Sequence, residues 1–76
     1  MDWRERIELN PKVLVGKPVV KGTRLSVEFI VTRLAQGATP DELVHSHPRL
    51  TREDILACLA YAAELLEVER VYPVPS

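Results

Sequence analysis

Residues 39–69 read T-P-D-E-L-V-H-S-H-P-R-L-T-R-E-D-I-L-A-C-L-A-Y-A-A-E-L-L-E-V-E. Two helix starts are written into this stretch. Thr39 stands at a cap position, Pro40 occupies the first helical position, and Glu42 is placed to close a capping box. Pro48 stops that helix near Ser46. Thr51 then opens a second, longer helix, with Glu53 and Asp54 in its first turn, where the positive end of the helix dipole favours carboxylates. Short helix, turn, long helix is the rhythm of a helix-turn-helix unit.

The long helix, 52–69, is unusual in its middle. I-L-A-C-L-A-Y-A-A-E-L-L carries one charge, at Glu64. A surface helix shows one apolar stripe, whereas this one is apolar nearly all round. Two arrangements would cover it. A second copy of the chain does so in a two-fold dimer, or its own chain packs on both sides of it. With 76 residues there is little material for the second,.

Upstream, Ser26 caps a helix over 27–36. Val27, Ile30, Val31 and Leu34 share one face, and Gly37 supplies the left-handed stop. Before it, residues 7–25 are rich in β-branched side chains and broken by Asn10-Pro11, Gly16 and Gly22. They read as short strands over 7–9, 13–15 and 18–20, with a turn at 21–23. The fold class expected is mainly α: a three-helix, helix-turn-helix-like bundle with a small N-terminal β-hairpin. The chain divides as one domain over 1–76, with a β element at 7–25, the bundle at 26–69 and an extended tail at 70–76. The expected core is Val20, Leu25, Ile30, Val31, Leu34, Leu43, Leu50, Ile55, Leu59, Ala62 and Leu66.

Composition narrows the function. The lone Cys58 rules out an internal disulfide, and a structural zinc site lacks its thiolates,. Cys58 reads as a small core side chain. His45 and His47 are two apart on a helix and face away from each other, so they do not chelate one metal. Phosphate-loop, dinucleotide and nucleophile-elbow motifs are lacking,. No catalytic residue, metal or cofactor is expected. No apolar run reaches membrane-spanning length and the polar start is unlike a signal peptide, so a cytoplasmic protein is expected.

Charge is polarised. Residues 1–24 carry six basic side chains against three acidic ones, and residues 51–76 carry two against five. A basic front meets phosphate, and an acidic, apolar tail meets a basic protein surface. DNA-contact candidates are Lys12, Lys17, Lys21, Arg24, Arg49, Thr51 and Arg52. The long helix itself makes a poor recognition helix. Glu53 and Asp54 repel phosphate, and the Ala and Leu beyond them cannot read base edges. Partner-contact candidates are Glu64, Leu66, Glu67, Glu69, Val71 and Tyr72.

Motifs across residues 7–66 resemble a known family. They are Asn10-Pro11, G-K-P-V-V-K-G-T-R at 16–24, G-A-T-P-D-E-L at 37–43, P-R-L-T-R-E-D-I at 48–55 and L-A-Y-A at 59–62. The set is similar to the prokaryotic domain-of-unknown-function family numbered four-three-three. Matching positions are Gly16, Lys17, Pro18, Gly22, Thr23 and Arg24, then Pro48, Leu50, Thr51, Asp54 and Ile55. His47 stands where that family usually has Tyr, and Val15 where a second Gly is common. The resemblance implies a helix-turn-helix-like domain. For many members it also implies the antitoxin half of a toxin–antitoxin pair, whose toxin is a PIN-like ribonuclease. The expectation is therefore an antitoxin-like homodimer that neutralises such a nuclease and binds its own promoter as double-stranded DNA. The alternative is a dimeric protein-binding adaptor without DNA binding.

Overall fold

Ile7 and Glu8 pair antiparallel with Val20 and Val19 in a computed structural model that describes residues 2–9 and 16–69, with side chains through Glu67. These short strands are β1, Ile7–Glu8, and β2, Val19–Val20. Residues 10–15, and with them the strand expected at 13–15, lie outside the described part. A 3-10 turn at Trp3–Glu5 precedes β1. Three helices follow: α1, Val27–Ala35; α2, Pro40–Ser46; and α3, Arg52–Glu69. The expected class, mainly helical with a small N-terminal hairpin, is the one observed.

Each helix starts where a side chain satisfies an orphan amide. Ser26 Oγ accepts from the Phe29 amide at 2.9 Å. Thr39 Oγ1 accepts from the Glu42 amide at 3.1 Å. At α3 the cap is reciprocal: the Asp54 amide donates to Thr51 Oγ1 at 3.1 Å, and the Thr51 amide donates to Asp54 Oδ2 at 3.0 Å. The other Asp54 oxygen accepts from Arg6 Nη1 at 3.2 Å. Asp54 is the one buried charged residue among those described. Its carboxylate is fully engaged, which is what makes its burial tolerable. The same group ties the β1 end of the chain to the start of α3. Gly37, at φ +102°, ends α1 in the left-handed region,.

The core gathers Ile7, Val20, Val27, Ile30, Leu43, Leu50, Ile55, Ala57 and Cys58. Leu25, Val31 and Leu34 pack against it from the rim, and Ala62 is half-buried. Two expected core residues are corrected: Leu59 is 43% exposed and Leu66 64% exposed. The buried face of α3 runs instead through Asp54, Ile55, Ala57 and Cys58. Small residues face inward at 57 and 58, where neighbouring elements come close. The leucines at 56 and 59 are left outside. An all-round apolar helix carries no periodic signal that fixes its rotation. Leu59→Ala is therefore expected to cost the fold of the single chain less than about 1 kcal/mol, the ordinary range of exposed substitutions; a urea midpoint close to wild type, read at a dilution where the chain is single, would check it.

The N-terminal turn is clipped onto α3. The Trp3 ring meets Tyr61 edge-on, with centroids 4.8 Å apart. The Trp3 indole N–H donates to Glu64, and Arg4 lies 3.4 Å from the other Glu64 oxygen. No helix among the described residues is long and apolar enough to cross a membrane.

Candidate functional site: a basic cleft and an uncovered helix face

Two turns distant in sequence face each other. The first follows β2. Gly22 sits at φ +77°, a region that favours glycine,. Thr23 Oγ1 donates to the Val20 carbonyl at 2.8 Å and accepts from the Leu25 amide at 3.0 Å. The second turn joins α2 to α3, closed by the Leu50 amide donating to the His47 carbonyl at 2.9 Å. The His47 ring stands edge-on to Phe29, with centroids 5.8 Å apart. Between residues 22–25 and 47–50 lies an open cleft of about 730 Å³. Arg24 and Arg49 lie on its two walls. Arg49 Nη1 makes a long 3.5 Å contact with the Gly22 carbonyl.

The other basic candidates are dispersed. Lys17 pairs with Glu28 at 3.0 Å, and Lys21 donates to the Arg4 carbonyl at 3.1 Å. Arg52 pairs with Asp41 across the α2–α3 corner. Thr51 is spent on the α3 cap. Lys12 lies outside the described residues. Sequence reasoning named Arg24 and Arg49 separately but missed that they share a cleft, and it missed His47 and Pro48 as its lining. No local signal marks that meeting, because it is made by tertiary packing.

The second feature is the outer face of α3. Leu56, Leu59, Ala63 and Leu66 recur at i, i+3, i+7 and i+10, a stripe opposite the core,. Leu56 is 55% exposed. No described element covers this stripe. Among the partner candidates, Leu66 and Glu67 are exposed at its far end. Glu64 is turned to Trp3 and Arg4. Val71 and Tyr72, and the Glu69 side chain, lie outside the described residues.

Residues 7–62 match the family model described as "Protein of unknown function (DUF433)". The chain belongs to this family. A curated relative, the uncharacterized protein y4eO of Sinorhizobium fredii (strain NBRC 101917 / NGR234), is 34% identical over 59 residues. That alignment covers 78% of this chain and 27% of the relative, so the chain spans about a quarter of that protein's length. The crystal structure of a DUF433 member protein from Anabaena variabilis ATCC 29413 superposes with a TM-score of 0.76 at 34% identity. It covers 82% of this chain and 61% of that one. Both turns that form the cleft fall inside the family match. Leu65, Leu66 and Glu67 lie beyond it.

Cys58 is a free thiol buried in the core. Burial, and secondarily the nearby Asp54 charge, push its thiol up to about 12 from 9.0. Native protein is expected to leave a maleimide unreacted until it is unfolded. Linkage gives a second readout. The unfolded thiol ionises above 9 while the native one keeps its proton, so stability falls as pH rises from 9 toward 12. The slope is about 1.4 kcal/mol per pH unit. In Cys58→Ala the alkaline slope of urea midpoints measured across the same range is expected to be shallower by that contribution,.

Proposed function

We propose that this DUF433 chain is an antitoxin-like regulator that acts by docking other protein chains on α3. The observation that carries the reading is the exposed leucine stripe of that helix. Its first part, around Leu56 and Leu59, pairs with a second copy. The acidic end, from Leu66 and Glu67 onward, meets the basic RNA-binding surface of a PIN-like ribonuclease and excludes its substrate. The basic residues of the hairpin side hold promoter DNA, their number doubled by dimerisation.

One observation favours the adaptor reading, a dimeric protein-binding module without DNA. The first turn of α3 is not free to read bases: Arg52 pairs with Asp41, Asp54 is buried in the cap, and Glu53 is exposed. Charge reversal at Lys17, Lys21 and Arg24 separates the two. Affinity for promoter duplex collapses under the regulator reading and is absent from the start under the adaptor reading.

The deciding experiment identifies the protein encoded beside this chain; one that is no ribonuclease contradicts the regulator reading, and a PIN-like ribonuclease is assayed directly. RNA cleavage is followed with wild-type protein and with Leu66→Glu/Glu67→Lys. Suppression by wild type, lost in the variant, supports the regulator. A neighbouring nuclease that cleaves at full rate with wild type present contradicts it.

A further inference from the structure

We infer that the cleft between residues 22–25 and 47–50 seats an unpaired nucleotide of a single-stranded nucleic acid. The inference does not use the α3 docking face; it shares Arg24 with the promoter-duplex part of the regulator reading and differs from it in the ligand, a single strand. Three features combine. The cleft, about 730 Å³, is far larger than a lone phosphate needs and falls in the size range of small-molecule sites,. Leu25, Pro48 and the His47 ring supply apolar and planar surface for a base, with buried Leu50 beneath them. Unstacked bases pack on such surfaces, whereas a base inside a duplex cannot reach one. Each wall offers a guanidinium, Arg24 on one turn and Arg49 on the other. A nucleotide within a strand carries a phosphate on each side, and guanidinium forks match phosphate oxygens.

The electrostatic setting agrees. No carboxylate lines the cleft among the described residues. Arg24 makes no ion pair among them, unlike Lys17 and Arg52. Among the described residues Arg49 is held toward the cleft by its 3.5 Å contact with the Gly22 carbonyl alone, which a phosphate oxygen can replace.

The test is fluorescence anisotropy of a labelled mixed-sequence oligonucleotide, as single strand and as duplex, against the whole chain. The single strand is expected to bind more tightly than the duplex. Arg24→Gln/Arg49→Gln should weaken single-strand binding about tenfold or more, and Lys17→Gln less than about twofold. Arg24→Gln alone, at an exposed position, should give at least about threefold with an unchanged melting curve. Polyglutamate should fail to displace the strand at matched charge, whereas free mononucleotide in large excess should displace it. Equal or tighter duplex binding would overturn the inference. So would wild-type affinity in the double variant, displacement by polyglutamate, no displacement by excess mononucleotide, or no binding at all.

Discussion

Ile55→Ala is expected to destabilise the domain by about 2–5 kcal/mol. Ile55 is 1% exposed, in the first turns of α3, and belongs to the cluster that joins α1, α2 and the hairpin. Removing its outer carbons forfeits their transfer energy and leaves a cavity. Relief by collapse is limited, because its neighbours Ala57 and Cys58 are already small and fully buried. A domain of 76 residues has roughly 4–11 kcal/mol in all, on a scale of about 0.05–0.15 per residue,. The substitution therefore removes a large share of the total. Urea midpoints read at a dilution where the chain is single would show it, with Leu59→Ala, one turn along, as the internal control. Equal loss in the two variants would mean that α3 is rotated relative to the packing described.

Asp54→Ala is expected to cost about 2–4 kcal/mol, second only to core truncation. The cap contributes about 1 kcal/mol. The remainder comes from the Thr51 amide losing its acceptor and from Arg6 losing its partner. Breaking a fully buried ion pair costs about 3–5 kcal/mol. That figure is discounted here because the Arg6 side chain is 38% exposed and water can take over its solvation,. Asp54→Asn keeps an acceptor toward Thr51 and removes the charge, so it should fall between wild type and the alanine variant. Arg6→Ala should cost less than Asp54→Ala, since the cap survives it. An Asp54→Ala variant as stable as wild type would show that the Thr51–Asp54–Arg6 linkage contributes nothing.

How much of this was legible beforehand depends on the range of each interaction. Helix limits were readable because caps are local: Ser26, Thr39-Pro40 and Thr51 lie within three residues of the amides they satisfy. The turn at Gly22 was readable for the same reason. Asp54 was placed correctly near the dipole, but its second partner, Arg6, is 48 residues away and leaves no trace in local pattern. The Trp3–Glu64 clasp spans 61 residues and was equally hidden. The rotation of α3 was misread because hydrophobicity there has no preferred side. Tertiary packing sets it: Ile55, Ala57 and Cys58 turn inward, and Leu56, Leu59 and Ala63 outward. The cleft was hidden for a related reason. Arg24 and Arg49 were both singled out, yet only the packing of the hairpin against the α2–α3 turn makes them neighbours.

The outer stripe of α3 connects fold to function. Covering the exposed part of each leucine is worth on the order of 1 kcal/mol, and a two-fold axis doubles every contact. Sedimentation equilibrium over a wide dilution series, with wild type and Leu56→Glu/Leu59→Glu side by side, tests this most directly. The predicted result is a wild-type mass of two chains that falls to one chain in the variant, with helical content unchanged. A wild-type mass of one chain at every concentration would contradict it.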